Sequence, residues 1–245
     1  MMRGMNPTPP DAPNDVPAAL RRIRSFVIRA GRMTAGQERA WKEHWPTTGI
    51  DYVGEPIDLD RHFGRNAPCV LEIGFGTGDA LLAYAALNPD RDCLGIEVHP
   101  PGVGHLLLQV HNQHLKNVRV LCHDAVEVLS HSLSPACLDE VHIFFPDPWH
   151  KKRHHKRRLL QIPFADLLAR VLKPGGHLKL ATDWEHYATH IRSVFDSHPA
   201  FENLADTQTS SGFTARPEHR PLTRFERRGH RLGHGVWDML YRRRT

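Results

Sequence analysis

Cysteine is scarce in this chain: 4 of 245 residues, Cys69, Cys93, Cys122 and Cys137, each alone and none in a C-x-x-C pair. That spacing excludes a disulfide-built scaffold and a thiolate metal ribbon, and it reads as buried thiols in a reducing compartment. Long apolar runs are missing too. No stretch approaches the ~18 residues that a membrane-spanning helix needs, and the first residues carry no apolar signal core, so a cytoplasmic location is expected. Acidic charge falls short of basic: 27 Asp and Glu against 32 Lys and Arg leave +5, with 19 His able to add charge below neutrality. A net charge that small identifies no partner. The clustering of cations at the centre and near the carboxyl end favours nucleic acid over an acidic small molecule. Hydrophobic residues make up 40% of the chain, enough to fill the core of one sizeable α/β domain.

Residues 1–20 hold five prolines and few large apolar side chains, which predicts a disordered leader. Residues 21–50 form a basic arm and a short helix, and 51–245 the main domain. In the arm, Arg21, Arg22, Arg24, Arg29 and Arg32 alternate with Ile23, Phe26, Val27 and Ile28. Such an arm can bind RNA, fold over an active site or pack on the domain. Gln37 to Trp45 reads as a helix ended by Pro46. From Cys69 onward short apolar runs alternate with helical segments, the signature of a doubly wound, mostly parallel seven-stranded sheet. Strands are expected at 69–73, 92–97, 118–122, 138–145 and 176–182, with helices at 79–87, 102–114, 159–172 and 184–196. Lys173-Pro174-Gly175-Gly176 reads as a helix stop and turn before the fifth strand. A further strand begins near 201, a polar loop covers 207–220, and a last strand lies near 234–241.

The first strand runs into Glu72-Ile73-Gly74-Phe75-Gly76-Thr77-Gly78. Glycines at 74, 76 and 78 let the backbone pass close to a nucleotide. A dinucleotide fingerprint wants glycine three residues after Gly76, where Asp79 stands, so NAD is disfavoured. Glu97 ends the second strand, where a carboxylate can accept from both ribose hydroxyls, and Asp124 follows the third, where it can meet an adenine amino group. Ligands of such sheets bind at the carboxyl ends of the strands, where these residues gather.

The fourth strand runs into FFPDPWHKKRHHKRR, residues 144–158. Two prolines fix Asp147 at the strand tip, and Trp149 follows as a flat apolar surface. Lys151, Lys152, Arg153, Lys156, Arg157 and Arg158 then place six cations within eight residues, with His154 and His155 between them. A rigid acid beside a cation row is a reaction site facing a polyanion.

With these motifs the chain resembles the bacterial tRNA (guanine-N7)-methyltransferases, a class I, Rossmann-like family that uses S-adenosylmethionine and yields S-adenosylhomocysteine. The likeness runs from about Arg24 to Tyr241. It rests on Arg24-Ser25-Phe26, on Gly31-Arg32-Met33-Thr34, on LEIGFGTGD at 71–79, on GIEVHPPGVG at 95–104, on the basic segment and on RPLTRFERRGHRLGH from Arg220 to His234. The family usually has proline where this chain has His150.

The resemblance implies that Glu72, Glu97, Asp124 and Asp147 contact the cofactor on the turn of Gly74, Gly76 and Gly78, and that Asp147 is the active-site residue. It implies that Lys151, Asp183, Thr223, Arg224, Phe225 and Glu226 meet the substrate, a variable-loop guanosine of tRNA (position 46). Arg153, Lys156 and His154 are expected to contact the RNA, and no metal is expected. The enzyme is expected to act as a monomer or homodimer, away from membranes and without an obligate protein partner. Guanine N7 is already a lone-pair acceptor, so it attacks the methyl carbon without a general base. Asp147, Asp183 or Glu226 accepting from the Watson–Crick donors would select guanine. Trp149, Trp184 or Phe225 can stack on the base or pack into the core. Two rivals remain: a methyltransferase acting on exocyclic amines, which Asp147-Pro148-Trp149 resembles loosely, and a noncatalytic RNA binder.

Overall fold

The computed structural model describes residues 24–26, 31–205, 211–217, 220, 226 and 235–245. Its strands are β1 (Cys69–Ile73), β2 (Asp92–Glu97), β3 (Val118–Cys122), β4 (Leu138–Phe144), β5 (Leu172–Thr182), β6 (Phe201–Asn203) and β7 (Trp237–Arg243). Among the described residues they form one seven-stranded sheet in the order β3-β2-β1-β4-β5-β7-β6. The first five strands run parallel, and β7 lies antiparallel between β5 and β6. The strand order reverses between β1 and β4, which opens a crevice at their carboxyl ends.

Helices cover both faces, so all five residues of β1 are buried, as in strands packed on two sides. On one face α1 (Ala35–Thr48), α3 (Asp79–Leu87) and α4 (Pro100–Asn112) bury Leu81, Leu106 and Leu107 against Val70, Cys93 and Val120. On the other, α6 (Ile162–Val171) and α7 (Glu185–Asp196) bury Phe164, Leu168 and Ile191 with Leu71, Leu94, Val141 and Leu180. Each such side chain contributes about 1.5–3 kcal/mol by leaving water. Two short elements complete the chain: α2 (Leu59–Phe63), and α5 (Ala125–Glu127), which runs into a π-type turn at Val128–Ser132.

The five parallel strands fall where the apolar runs place them, and the corrections concern their ends. Helix α1 does not stop at Pro46. It continues to Thr48, because the Gly49 N–H closes on the Trp45 carbonyl at 2.7 Å and Trp41 stacks on Trp45 at 4.6 Å. Proline in a last turn forfeits one bond without forcing the chain out. The Lys173–Gly176 turn lies inside β5 rather than before it. Leu172 already pairs with Leu138, the register then shifts before Glu140, and Lys173 Nζ holds Asp139 at 2.8 Å across the bulge. The final strand runs from Trp237 to Arg243, later than the expected 234–241. Helix α6 begins at Ile162 rather than 159, because the basic segment ahead of it closes its own 3-10 turn over Lys152–Arg157. The expected leader at 1–20 and residues 21–23 and 27–30 of the arm lie outside the described residues.

Candidate active site

At the carboxyl end of β1 the chain turns through Gly74 and Gly76. Gly76 has φ 59° with open space where a side chain would stand, and its N–H donates to Glu97 Oε2 at 2.8 Å. Glu97 Oε1 accepts from the N–H groups of Val98 and His99 at 2.7 and 3.0 Å. One carboxylate thus ties the glycine turn to the start of α4. A Cβ on Gly102 would meet the Gly76 carbonyl oxygen at 2.2 Å, so only glycine lets α4 approach this closely. Asp124 caps α5, its Oδ1 accepting from the Val126 N–H at 2.9 Å.

Glu72 lies deepest, only 3% exposed, and its Oε2 has no hydrogen-bond partner among the described residues. Burial first, then the neighbouring Glu97 and Asp79, push this carboxyl up to about 8. A buried carboxyl oxygen without a partner is costly, and it points to a donor or cation that completes it when bound. The cavity above the turn measures about 330 Å³ and is lined by Gly74, Glu97, Asp124, Phe144 and Asp147, with Ser25 and Phe26 of the arm closing one side. An unsatisfied acid, a glycine floor and two acids at successive strand ends fit a nucleoside carrying a cationic amino-acid tail.

Asp147 stands on a bend shaped by sequence. Phe145 at φ 53° and Trp149 at φ 45°, neither of them glycine, bracket Pro146-Asp147-Pro148 in left-handed backbone. Each such residue costs about 1–2 kcal/mol and persists only where its surroundings hold it. Here the Phe145 N–H donates to the Ala181 carbonyl at 2.8 Å, the Trp149 indole N–H to the Ser25 carbonyl at 3.0 Å, and Arg158 Nε to the Pro148 carbonyl at 3.0 Å. Asp147 itself is exposed and makes no hydrogen bond to a described residue. Asp183 follows β5, in which Ala181 pairs with Phe144, so the two acids leave adjacent strand ends.

Lys151, Arg153 and Lys156 are exposed on the basic segment. Arg157 lies over the Trp149 ring at 5.1 Å, and His154 meets it edge-on at 5.9 Å. Partial desolvation, then Arg153 and Arg157, lower the His154 pKa, which favours the neutral ring. Arg158 departs from the expected cation row. It is 2% exposed, lies over Tyr187 at 4.8 Å and holds the Pro148 carbonyl, so it supports the bend rather than meeting phosphate.

Glu226, which the resemblance assigns to the substrate, and Arg220, which opens the same tail motif, are each 1% exposed. Glu226 accepts from Arg220 through both oxygens, at 2.7 and 2.9 Å. Thr223, Arg224 and Phe225 lie outside the described residues. Of the aromatics able to stack on a base, Trp149 is committed to Ser25, Arg157 and His154. Trp184 is 36% exposed, with His150 edge-on to it at 4.2 Å.

This sheet, with its glycine turn and strand-end acids, defines a class I methyltransferase. A family model described as "Putative methyltransferase" matches residues 66–239. The chain belongs to the tRNA (guanine-N(7)-)-methyltransferase family. It is 54% identical over 224 residues to the tRNA (guanine-N(7)-)-methyltransferase of Cronobacter sakazakii, covering 91% of this chain and 92% of the relative. With the enzyme of the same name from Chromobacterium violaceum it shares 55% over 228 residues, 93% and 99% of the two chains. A solved 16S rRNA methyltransferase, KamB, shares the fold at 16% identity and TM-score 0.52, over 78% of this chain and 95% of that one.

Sequence reasoning missed the structural roles of Arg158, Arg220 and Asp238. One signal was present for Arg158: it is the cation of the run that abuts Leu159-Leu160, where the chain turns inward.

Proposed function

We propose that this protein transfers the methyl group of S-adenosylmethionine to N7 of a guanosine in the variable loop of tRNA, by direct in-line attack without a general base. The observation that carries the reading is Asp147. Its carboxylate stands free on a braced bend, between the cavity that it lines with Glu97 and Asp124 and the exposed cations Lys151, Arg153 and Lys156. The relatives' names support the same acceptor.

The cofactor, when bound, supplies an electrophilic methyl on a sulfonium. The chain's residues position everything else. Glu72 would complete its free oxygen on the ligand's ammonium, Glu97 would accept from the ribose hydroxyls, and Asp124 would meet the adenine amino group. Asp147 holds the incoming purine and stabilises the positive charge that it gains, since N7 has no proton to lose. Glu226 is occupied by Arg220, so Asp147 and Asp183 are the acids left to accept from the guanine Watson–Crick donors. Lys151, Arg153 and Lys156 hold the flanking phosphates and offset the few kcal/mol spent in exposing the base.

The test is methyl transfer from labelled S-adenosylmethionine to unmodified tRNA, followed by digestion and nucleoside identification. N7-methylguanosine at a single variable-loop position is expected. Methylation of an exocyclic amine instead would overturn the acceptor.

A further inference from the structure

Arg220 is the largest fully buried side chain in the molecule's described part, and it faces two carboxylates. Its Nη1 and Nη2 donate to Glu226 at 2.7 and 2.9 Å, and its Nε and Nη2 to Asp238 at 3.2 and 3.0 Å. The same guanidinium lies over the rings of Phe144 and Phe145, at 5.7 and 5.2 Å. Those rings end β4 and begin the left-handed bend that carries Asp147.

The sheet explains how one side chain reaches all of these groups. Phe144 pairs with Ala181, Ala181 pairs with Asp238, and Asp238 bridges to Thr214. Residues in register share a face of the sheet, and the contacts of Arg220 run from Asp238 on β7 to Phe144 on β4, two strands away. Glu226 is the only described residue of the segment 221–234.

We propose that Arg220 is a positioning residue for methyl transfer: paired with Glu226 and Asp238 and lying over Phe144 and Phe145, it holds the bend that carries Asp147. Glu226 acts through Arg220 rather than on the guanine. The proposal rests on the methyltransferase reading above and adds residues to it.

Groups that act as a unit show non-additive losses, whereas independent contacts multiply. The experiment is a double-mutant cycle of Arg220→Lys and Glu226→Gln, read as the single-turnover methylation rate at saturating tRNA and S-adenosylmethionine. Cofactor affinity by calorimetry and the melting temperature are measured on all four proteins. Misplacing a reacting group by about 1 Å costs on the order of 10²-fold, so Arg220→Lys is expected to slow the step by about 30-fold or more. The double variant is expected to be no slower than Arg220→Lys, with cofactor affinity and tRNA KM within about 2-fold of the parent.

Losses that multiply in the cycle would overturn the proposal, by giving Glu226 its own contact with the substrate. A rate that falls only in proportion to lost folded protein would overturn it too, leaving Arg220 a purely structural ion. An inactive parent protein would instead sink the methyltransferase reading, which the parent arm alone decides.

Discussion

The Trp149 indole N–H donates to the Ser25 carbonyl at 3.0 Å, joining two residues that stand 124 positions apart. Ser25 and Phe26 line the cavity together with Asp147, and the bond anchors Ser25 at that wall. The bend that carries the acid is thus tied to one wall of the cavity. Trp149→Phe keeps the ring under Arg157 and removes the donor. A net hydrogen bond is worth about 0.5–1.5 kcal/mol, so cofactor affinity is expected to fall about 2- to 12-fold in calorimetry with no loss of helix content. Unchanged affinity would detach the arm from the cofactor site.

Asp147 is exposed and braced by its neighbours' backbone, so its removal should leave the fold alone. Asp147→Ala is expected to lower the single-turnover methylation rate by at least the 10²- to 10³-fold typical of losing a charge-stabilising group. tRNA affinity in filter binding should stay near that of the parent, because the cations that hold phosphate are separate residues. Parallel loss of binding and rate would overturn this division of labour.

The parallel strands, the glycine turn and the strand-end acids were legible in the sequence because each is a local pattern. Apolar runs set β1 to β5, and Gly74 to Gly78 stand where only the backbone matters. The brace around Asp147 was not legible. Phe145 and Trp149 adopt left-handed backbone through contacts to Ala181, Ser25 and Arg158, and no local propensity encodes those partners. Arg158 and Arg220 also escaped, since a buried arginine reads like an exposed one until its carbonyl or carboxylate partners are in place. The short α2 and the π-type turn after α5 were missed because neither is long enough to show a helical period.

Glu72 gives a pH dependence with a definite sign. Its carboxyl is pushed from 4.5 up to about 8, so between those values the folded, cofactor-free protein holds a proton that the unfolded chain has released. Its contribution to stability is complete below about 4.5 and is lost as pH rises through about 8. Glu140 does not mask the effect. Burial raises it, but His142 and Lys179 outweigh burial and hold it at about 2, so its contribution changes only in acid. Glu72→Gln is expected to flatten the fall in melting temperature between pH 5.5 and pH 8.5. Calorimetry at pH 7 in buffers of different ionisation enthalpy should also show proton release when S-adenosylmethionine binds the parent, and none with Glu72→Gln. Equal release from both would remove Glu72 from the ammonium site.

The basic segment splits into two kinds of cation, and the split can be measured. Lys151, Arg153 and Lys156 are exposed, and changing all three to Ala is expected to weaken tRNA binding while leaving the melting temperature alone. Each phosphate neutralised contributes about 0.7–0.9 to the slope of log K against log salt, so the triple variant should lose about 2 to 3 from that slope. Arg158 is buried, bonded to the Pro148 carbonyl and stacked on Tyr187. Arg158→Met should leave the salt slope intact and instead cost about 2 kcal/mol in denaturant unfolding, because it orphans a carbonyl and loosens the bend. Methylation should then fall without any change in how binding responds to salt. A lower slope for Arg158→Met would return this residue to the phosphate-binding surface, and an unaltered slope for the triple variant would make the exposed run a merely solvated face.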